Sequence, residues 1–332
     1  MQLSEELRGA VAGALRSSGG AAEMLDILAS VDSPPGNVWY VDPDTGSDGF
    51  AGLSWTEPFA TMTVAVAAAE AGDTIKFRGT IAEATITVAV DNLTIRGANP
   101  AVGSSHGAGN VWMEAAAAQT ELVIVTGSNC RFSNTCFRGP SAPGVTNYTK
   151  GVCIRLSGCY GTQFVGCRFQ GRAGSLAAIY SATATSDDVD IIDCEFLYWN
   201  TLTYGAAILG ASTGGLAYSG WRIIDCTFNS CVIAIAFNAK CCEIRCDRIM
   251  EFGTPAAPGG AIAAVLAMGI DLRSTSGGGG GGNCVVGNYL DGAYTATLYK
   301  VNADVSGSDN WIGNYAIAGT GATYGVTFAN PA

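Results

Sequence analysis

A short motif keeps returning along this chain, and it leaves few folds open. Ser133-Asn134-Thr135-Cys136-Phe137, Val165-Gly166-Cys167-Arg168-Phe169, Ile192-Asp193-Cys194-Glu195-Phe196 and Ile224-Asp225-Cys226-Thr227-Phe228 share one shape, with steps of 32, 27 and 32 residues between their phenylalanines. Val286-Gly287-Asn288-Tyr289-Leu290 and Ile312-Gly313-Asn314-Tyr315-Ala316 continue the series, and Arg245 to Ile249 reads as a degenerate copy between them. A unit this short cannot bury a hydrophobic face alone, so the copies must stack. Strand patterns repeating every ~20–50 residues specify a β-solenoid.

Alternation with period two divides each copy between two faces. Val165, Cys167 and Phe169, then Ile192, Cys194 and Phe196, then Ile224, Cys226 and Phe228, then Val286, Asn288 and Leu290 form the expected inward set. Gly166 and Arg168, Asp193 and Glu195, Asp225 and Thr227, and Gly287 and Tyr289 then face water. Coils stacked about 4.8 Å apart turn like positions into ladders along the axis. Cysteine suits the middle rung because a buried thiol behaves as a small apolar group. Asn288 and Asn314 can take its place only where their amides bond to one another or to backbone.

Composition agrees with tightly stacked strands. Of 332 residues, 48% are hydrophobic and only 14% charged, and 45 are glycine. A net charge of −11 offers nothing to neutralise phosphates, so nucleic acid is excluded as a partner. No apolar run reaches the ~20 residues that span a bilayer, and the first residues lack the basic, then apolar, pattern of a secretory signal. The expectation is synthesis in a cytoplasm without general export or membrane insertion. Twelve cysteines do not fall into a disulfide pattern: Cys167, Cys194 and Cys226 belong to the core as reduced thiols. Cys130, Cys136, Cys153 and Cys159 lie near turns, where some would be exposed. Cys241, Cys242 and Cys246 lack a fourth ligand at zinc spacing, and the single histidine, His106, is remote, so no metal and no cofactor is expected.

Three regions follow. Residues 1–35 form a helical docking or oligomerisation segment: Ser4 is an N-cap, and Leu7, Val11 and Leu15 make one apolar stripe. A second short helix carries Met24, Leu25 and Leu28, and Pro34-Pro35 ends it. Two such helices need a partner surface: the solenoid end, sister subunits or another protein. Residues 36–80 are the entry and cap, and 81–332 are parallel coils with lateral loops. One of those loops carries six consecutive glycines, Gly277 to Gly282, with neither a lysine nor a helix after them to make a phosphate cradle.

Within the entry, Val38-Trp39-Tyr40-Val41-Asp42 is a strand and Pro43 to Gly49 a polar turn. Pro58-Phe59-Ala60-Thr61-Met62 leads into a helix over Val64 to Ala71, and Gly72-Asp73-Thr74-Ile75-Lys76-Phe77 opens the next strand. Asp44, Asp48 and Asp73 either hold a cation or stabilise their own backbone through Asx turns, the blander role. This block of about forty residues resembles the segment that caps the first coil in right-handed parallel β-helix proteins of the pectin-lyase-like superfamily. The resemblance implies an all-β, right-handed, single-stranded parallel β-helix with a short N-terminal helical segment.

Two functions fit. The N-terminal block also resembles the leader helices of structural proteins of tailed bacteriophages, which implies a non-catalytic virion protein. It would decorate the head or neck or project as an appendage, docking through residues 1–35 on capsid, neck or tail proteins, with a homotrimer as the favoured oligomer. The alternative is a tailspike-type receptor-binding protein or glycosidase acting on host surface polysaccharide. Asp193, Asp225 and Glu195 on adjacent coils would then be the catalytic carboxylates, with Tyr198, Trp199 and Trp221 stacking on sugar rings. Against that stands the plain reading of a solvated acidic face.

Overall fold

The computed structural model describes residues 36–98, 111–115, 121–141, 151–172, 175–181, 186–199, 206–210, 217–231, 233–252, 268–272, 282–292, 299–300, 310–317 and 326–328. The helical stripe predicted from Leu7, Val11, Leu15, Met24, Leu25 and Leu28 lies outside them, as does His106. Among the described residues the chain winds through three long sheets of 10, 10 and 8 strands, here sheets A, B and C. One turn of the coil runs Gln163–Val165 in sheet A, Arg168–Gln170 in sheet B and Ala177–Ser181 in sheet C, then re-enters sheet A at Asp190–Ile192. Each strand pairs in parallel with its counterpart one coil away, so Phe164 meets Ile191 and Phe169 meets Phe196. The last strand of sheet B departs from this: Val326–Phe328 pairs antiparallel with Asn314–Ile317, closing the sheet with a reversed strand in place of another coil.

The interior is a set of like-on-like ladders. Phe137, Phe169, Phe196 and Phe228 stack face to face with centroids 5.0, 4.8 and 4.7 Å apart, and Phe132 lies on Phe164 at 5.1 Å. The strand spacing imposes these distances, and they coincide with favourable offset stacking. Ile249 is buried at the next step, so Arg245 to Ile249 is indeed a copy of the motif.

The phase of the motif differs from simple alternation. A residue with positive φ separates the sheet A strand from the sheet B strand in each copy: Asn134, Gly166, Asp193, Asp225, Cys246, Gly287 and Gly313, all between 51° and 66°. Asn, Asp and Gly tolerate this left-handed conformation best. The turn slips the alternation by one residue, so the core holds Phe164, Ile191, Ile223 and Val285. Val165, Ile192, Ile224 and Val286, expected inside, lie on the outer side of the strand. Asp193 and Asp225 accordingly occupy a corner, not a strand face.

Behind that corner the rung expectation holds. Cys167, Cys194 and Cys226 are buried, followed by Asp247, Asn288 and Asn314 at the same position. Asn288 Nδ2 donates to Asn314 Oδ1 at 2.9 Å and to Ile244 O at 3.0 Å, and Asn314 Nδ2 donates to Val285 O at 2.8 Å. The buried asparagines thus satisfy both demands placed on them. All twelve cysteines are free thiols. Cys130, Cys136, Cys153 and Cys159 are all buried, against the expectation that some would be exposed near turns: Cys136 and Cys153 lie within strands, and Cys130 and Cys159 belong to the hydrophobic core. Burial pushes the Cys136 thiol up to about 12, with the neighbouring Arg168 acting in the opposite sense. Cys194, packed between the thiols of Cys167 and Cys226, is raised well above its ordinary value, again chiefly by burial.

At the entry, Val38–Val41 pairs with Thr74–Phe77, and a helix over Met62–Ala68 buries Met62, Ala65 and Val66. It starts two residues earlier than predicted because Thr61 is its N-cap. The Thr61 side chain accepts from Val64 N at 3.3 Å, and the Glu83 carboxylate takes Met62 N and Thr63 N. Asp48 accepts from the amides of Ala60 and Thr61, and Asp73 from Asn37 N, Glu70 N and Trp39 Nε1. Those carboxylates serve the backbone. Asp42, which the sequence did not single out, anchors the turn through Asp44 N, Thr45 Oγ1 and Arg78 Nε.

A thiol reagent added under native conditions should react rapidly with the exposed Cys241 and Cys246 and more slowly with half-buried Cys284. The other thiols should be labelled only in denaturant. Equal labelling of Cys167, Cys194 and Cys226 in both conditions, read by peptide mass spectrometry, would contradict a dry interior.

Candidate functional site

Among the described residues, a concave surface follows the axis on the outer side of sheet A. It is a groove of about 500 Å³ whose walls are two columns of residues. One column is the first position of successive sheet A strands: Gln163, Asp190, Arg222 and Glu243. The other is the left-handed corner that precedes those strands, with Asn129, Gly161, Asp188, Gly220 and Cys241 at φ between 52° and 70°.

Glycine is required at two positions of that second column, Gly161 and Gly220. A Cβ on Gly220 would sit 2.1 Å from Asp188 Oδ1, and one on Gly161 would sit 2.2 Å from Asn129 Oδ1. Each acidic or amide side chain therefore folds over the glycine of the next coil, which keeps the groove open. A substitution there meets both the strain of φ near +70° and a collision.

The first column is a chain of polar contacts. Arg222 Nε donates to Asp190 Oδ1 at 2.6 Å, and its Nη2 reaches the second carboxylate oxygen. Gln163 Nε2 also donates to Asp190 Oδ2 at 3.2 Å, and Arg131 Nη1 donates to Gln163 Oε1 at 3.4 Å. Asp190 is buried while half of the Arg222 side chain remains exposed, so the guanidinium forms the charged floor. The bond to Asp190 raises the Arg222 pKa, partial burial opposes this, and the charges of Asp190, Glu243 and Asp188 add to the rise. Glu243 is held in turn by Arg245 Nε at 3.0 Å. An amide, a fork of guanidinium and several carboxylates in an open groove present hydrogen-bonding groups suited to a hydroxyl-rich ligand.

The residues expected to catalyse and to bind sugar are not brought together. Asp193 and Asp225 occupy adjacent coils on the other corner, between sheets A and B, where both are exposed. Asp193 is pushed above the ordinary carboxylate range, first by partial shielding from water and then by the charge of Asp225. Glu195 is bound to Arg168 Nε at 2.6 Å on the outer face of sheet B. Tyr198 is exposed, but Trp199 and Trp221 are fully buried and are core residues, not sugar platforms. Trp199 Nε1 donates to Phe169 O at 3.3 Å, and Trp221 Nε1 to Ser186 O at 2.5 Å. Period-two reading missed this because both tryptophans follow strand ends where the chain turns inward. The groove residues Gln163, Asp190 and Arg222 were also missed; their signal was a polar residue two positions ahead of each Val165-like residue. Among the described residues no group of three or more His, Cys, Asp or Glu side chains is arranged to hold a metal ion.

No protein-family model and no curated protein matches this chain. Solved structures do. A rhamnogalacturonan lyase superposes with a TM-score of 0.53 at 16% identity, covering 78% of this chain and 70% of its own. Pectate lyase Pel9A gives 0.55 at 13%, covering 85% and 81%, and the GH136 lacto-N-biosidase from Eubacterium ramulus gives 0.56 at 11%, covering 90% and 58%. The fold is a right-handed parallel β-helix. At these identities the β-helix likeness concerns architecture alone.

Gly220→Ala should lower stability by about 1–3 kcal/mol and displace the Asp188 carboxylate from the groove. Gly49→Ala, which meets only Ser47 Oγ at 3.7 Å, should change stability by no more than about 0.5 kcal/mol. Thermal unfolding of the two variants checks this; equal effects would remove the corner from the account.

Proposed function

We propose that this β-helix is a non-catalytic structural protein of a tailed-phage virion, a head or neck decoration or an appendage, docked through residues 1–35 and assembled as a homotrimer. The observation that carries the reading is how the outward charges are used. Arg78 with Asp42, Arg138 with Glu114, Arg155 with Glu121, Arg168 with Glu195, Arg222 with Asp190 and Arg245 with Glu243 form ion pairs along the rod. Three of these, Arg138–Glu114, Arg155–Glu121 and Arg168–Glu195, join neighbouring coils within sheets B and C, as Arg222–Asp190 does within sheet A. Such pairs tie adjacent coils together and commit these six carboxylates to the scaffold. A cross-braced, dry, parallel rod suits a particle that must survive outside a cell. The leader-helix resemblance supplies the docking end.

The second reading is a tailspike-type receptor-binding protein or glycosidase acting on host surface polysaccharide. The sheet A groove and the raised Asp193 beside Asp225 favour it, as do the saccharide-cleaving activities named for the similar β-helices. Its weakness is geometric. Asp193 and Asp225 project from one convex corner about 4.8 Å apart in register, whereas glycosidase carboxylates flank the scissile bond from two sides.

Immunogold electron microscopy of phage particles, paired with incubation of the full chain on a panel of bacterial surface polysaccharides, separates the two. Labelled particles and no new reducing ends are expected. Cleavage that is lost in Asp193→Asn or Asp225→Asn would replace the first reading with the second.

A further inference from the structure

The rung behind the corner between sheets A and B contains one member that breaks the pattern of its neighbours. Cys167 Sγ lies 3.5 Å from Phe132 O, Cys194 Sγ 3.5 Å from Phe164 O and Cys226 Sγ 3.4 Å from Ile191 O. Asn288 Nδ2 donates to Ile244 O and Asn314 Nδ2 to Val285 O. In every case the rung side chain places a donor within reach of the carbonyl of the inward sheet A residue one coil back; each thiol also lies 3.3–3.6 Å from the carbonyl two residues before it, and the amides donate to the previous coil outright. The amide-type members also accept. Cys226 N donates to Asp247 Oδ1 at 2.8 Å, Asp247 N to Asn288 Oδ1 at 2.9 Å and Asn288 N to Asn314 Oδ1 at 3.0 Å.

Asp247 sits between Cys226 and Asn288 and is 1% exposed. Its Oδ1 fills the acceptor role. Its Oδ2 is buried with no hydrogen-bond donor, at the place where its neighbours carry S–H or N–H. By register the carbonyl facing that place is Ile223 O. An ionised carboxylate would set a bare negative oxygen against a carbonyl lone pair in a dry interior, an arrangement of high cost. A carboxylic acid has the shape and the bonding pattern of the asparagine amide, one acceptor and one donor.

We propose that Asp247 is held as the neutral acid in the folded protein, its Oδ2–H donating to Ile223 O, and that this rung makes the solenoid sensitive to alkali. The surrounding groups favour this state. The coil before contributes Cys226 and the carboxylate of Asp225, whose negative charge disfavours a second one. The coil after contributes uncharged Asn288 and half-buried Tyr289. Arg245, Cys246 and Arg248, on the same coil as Asp247, are exposed, and Arg245 is engaged by Glu243. Burial, with a smaller push from Asp225, raises the Asp247 pKa well above the ordinary value against the opposing bond from Cys226 N.

The sign of the pH effect follows. A carboxyl whose folded pKa lies above its unfolded one binds an extra proton when folded, so its contribution is complete below the unfolded value and is lost as pH rises through the folded value. Asp247→Asn keeps the donor and removes the titration. The test measures unfolding equilibria of the full wild-type chain and of D247N in denaturant from pH 4 to pH 9. The unfolding constant of wild type relative to D247N should grow about tenfold per pH unit above roughly pH 4, then level off at the folded-state pKa. An infrared band of a protonated carboxyl should be present in wild type at pH 7 and absent in D247N. A ratio independent of pH, no such band, or failure of D247N to fold would each overturn the proposal; the band can be read on wild type alone.

Discussion

The structure depends on how each coil turns from sheet A into sheet B. One residue in the left-handed conformation redirects the strand, and the next side chain is swung into the interior beneath the corner, where it meets the same position of the coil behind. Because the turn is short and repeats in register, whatever occupies that interior position must satisfy its neighbours above and below. The phenylalanine ladder of sheet B and the aliphatic ladder of sheet A stack in step because this corner fixes their phase.

The chemistry of that position changes along the axis. Cysteine fills it through the middle of the solenoid, where a weak S–H donor and apolar volume are enough. From Asp247 onward the side chains become amide-shaped, and each bridges two coils by accepting from one backbone amide and donating to one carbonyl. The interior hydrogen-bond chain of Asp247, Asn288 and Asn314 thus continues the thiol ladder by stronger means. The groove on sheet A arises from the same principle at another corner, where glycine alternates with Asn129 and Asp188 so that their side chains can lie over the chain.

Much of this was legible in the sequence because a stacked repeat prints its ladders directly. The phenylalanine steps, the cysteine rung, the degenerate copy at Arg245 to Ile249 and the bonded asparagines all follow from spacing and the cost of burying polar groups. The phase of the strands was not legible from alternation, since one left-handed residue shifts it; the recurrence of Asn, Gly and Asp at positions 134, 166, 193, 225, 287 and 313 was the available clue. Trp199 and Trp221 looked like sugar platforms because aromatic residues near loops suit either role, and only the direction of the turn decides. The groove was invisible because Gln163, Asp190 and Arg222 are ordinary polar residues until the coils place them in one column.

The two functional readings share this scaffold and differ in what its surface is used for. Ion pairs link the surfaces of neighbouring coils, while the sheet A groove presents a strip of polar groups to solvent. Both uses require that the rung position never opens to water. Native-state hydrogen exchange tests that requirement directly. The amides of Cys226, Asp247 and Asn288, each donating to or flanked by a rung side chain, should exchange only through global unfolding, with protection equal to the most stable amides of the protein. Exchange of these amides at rates like those of exposed loop residues would contradict the account at its centre.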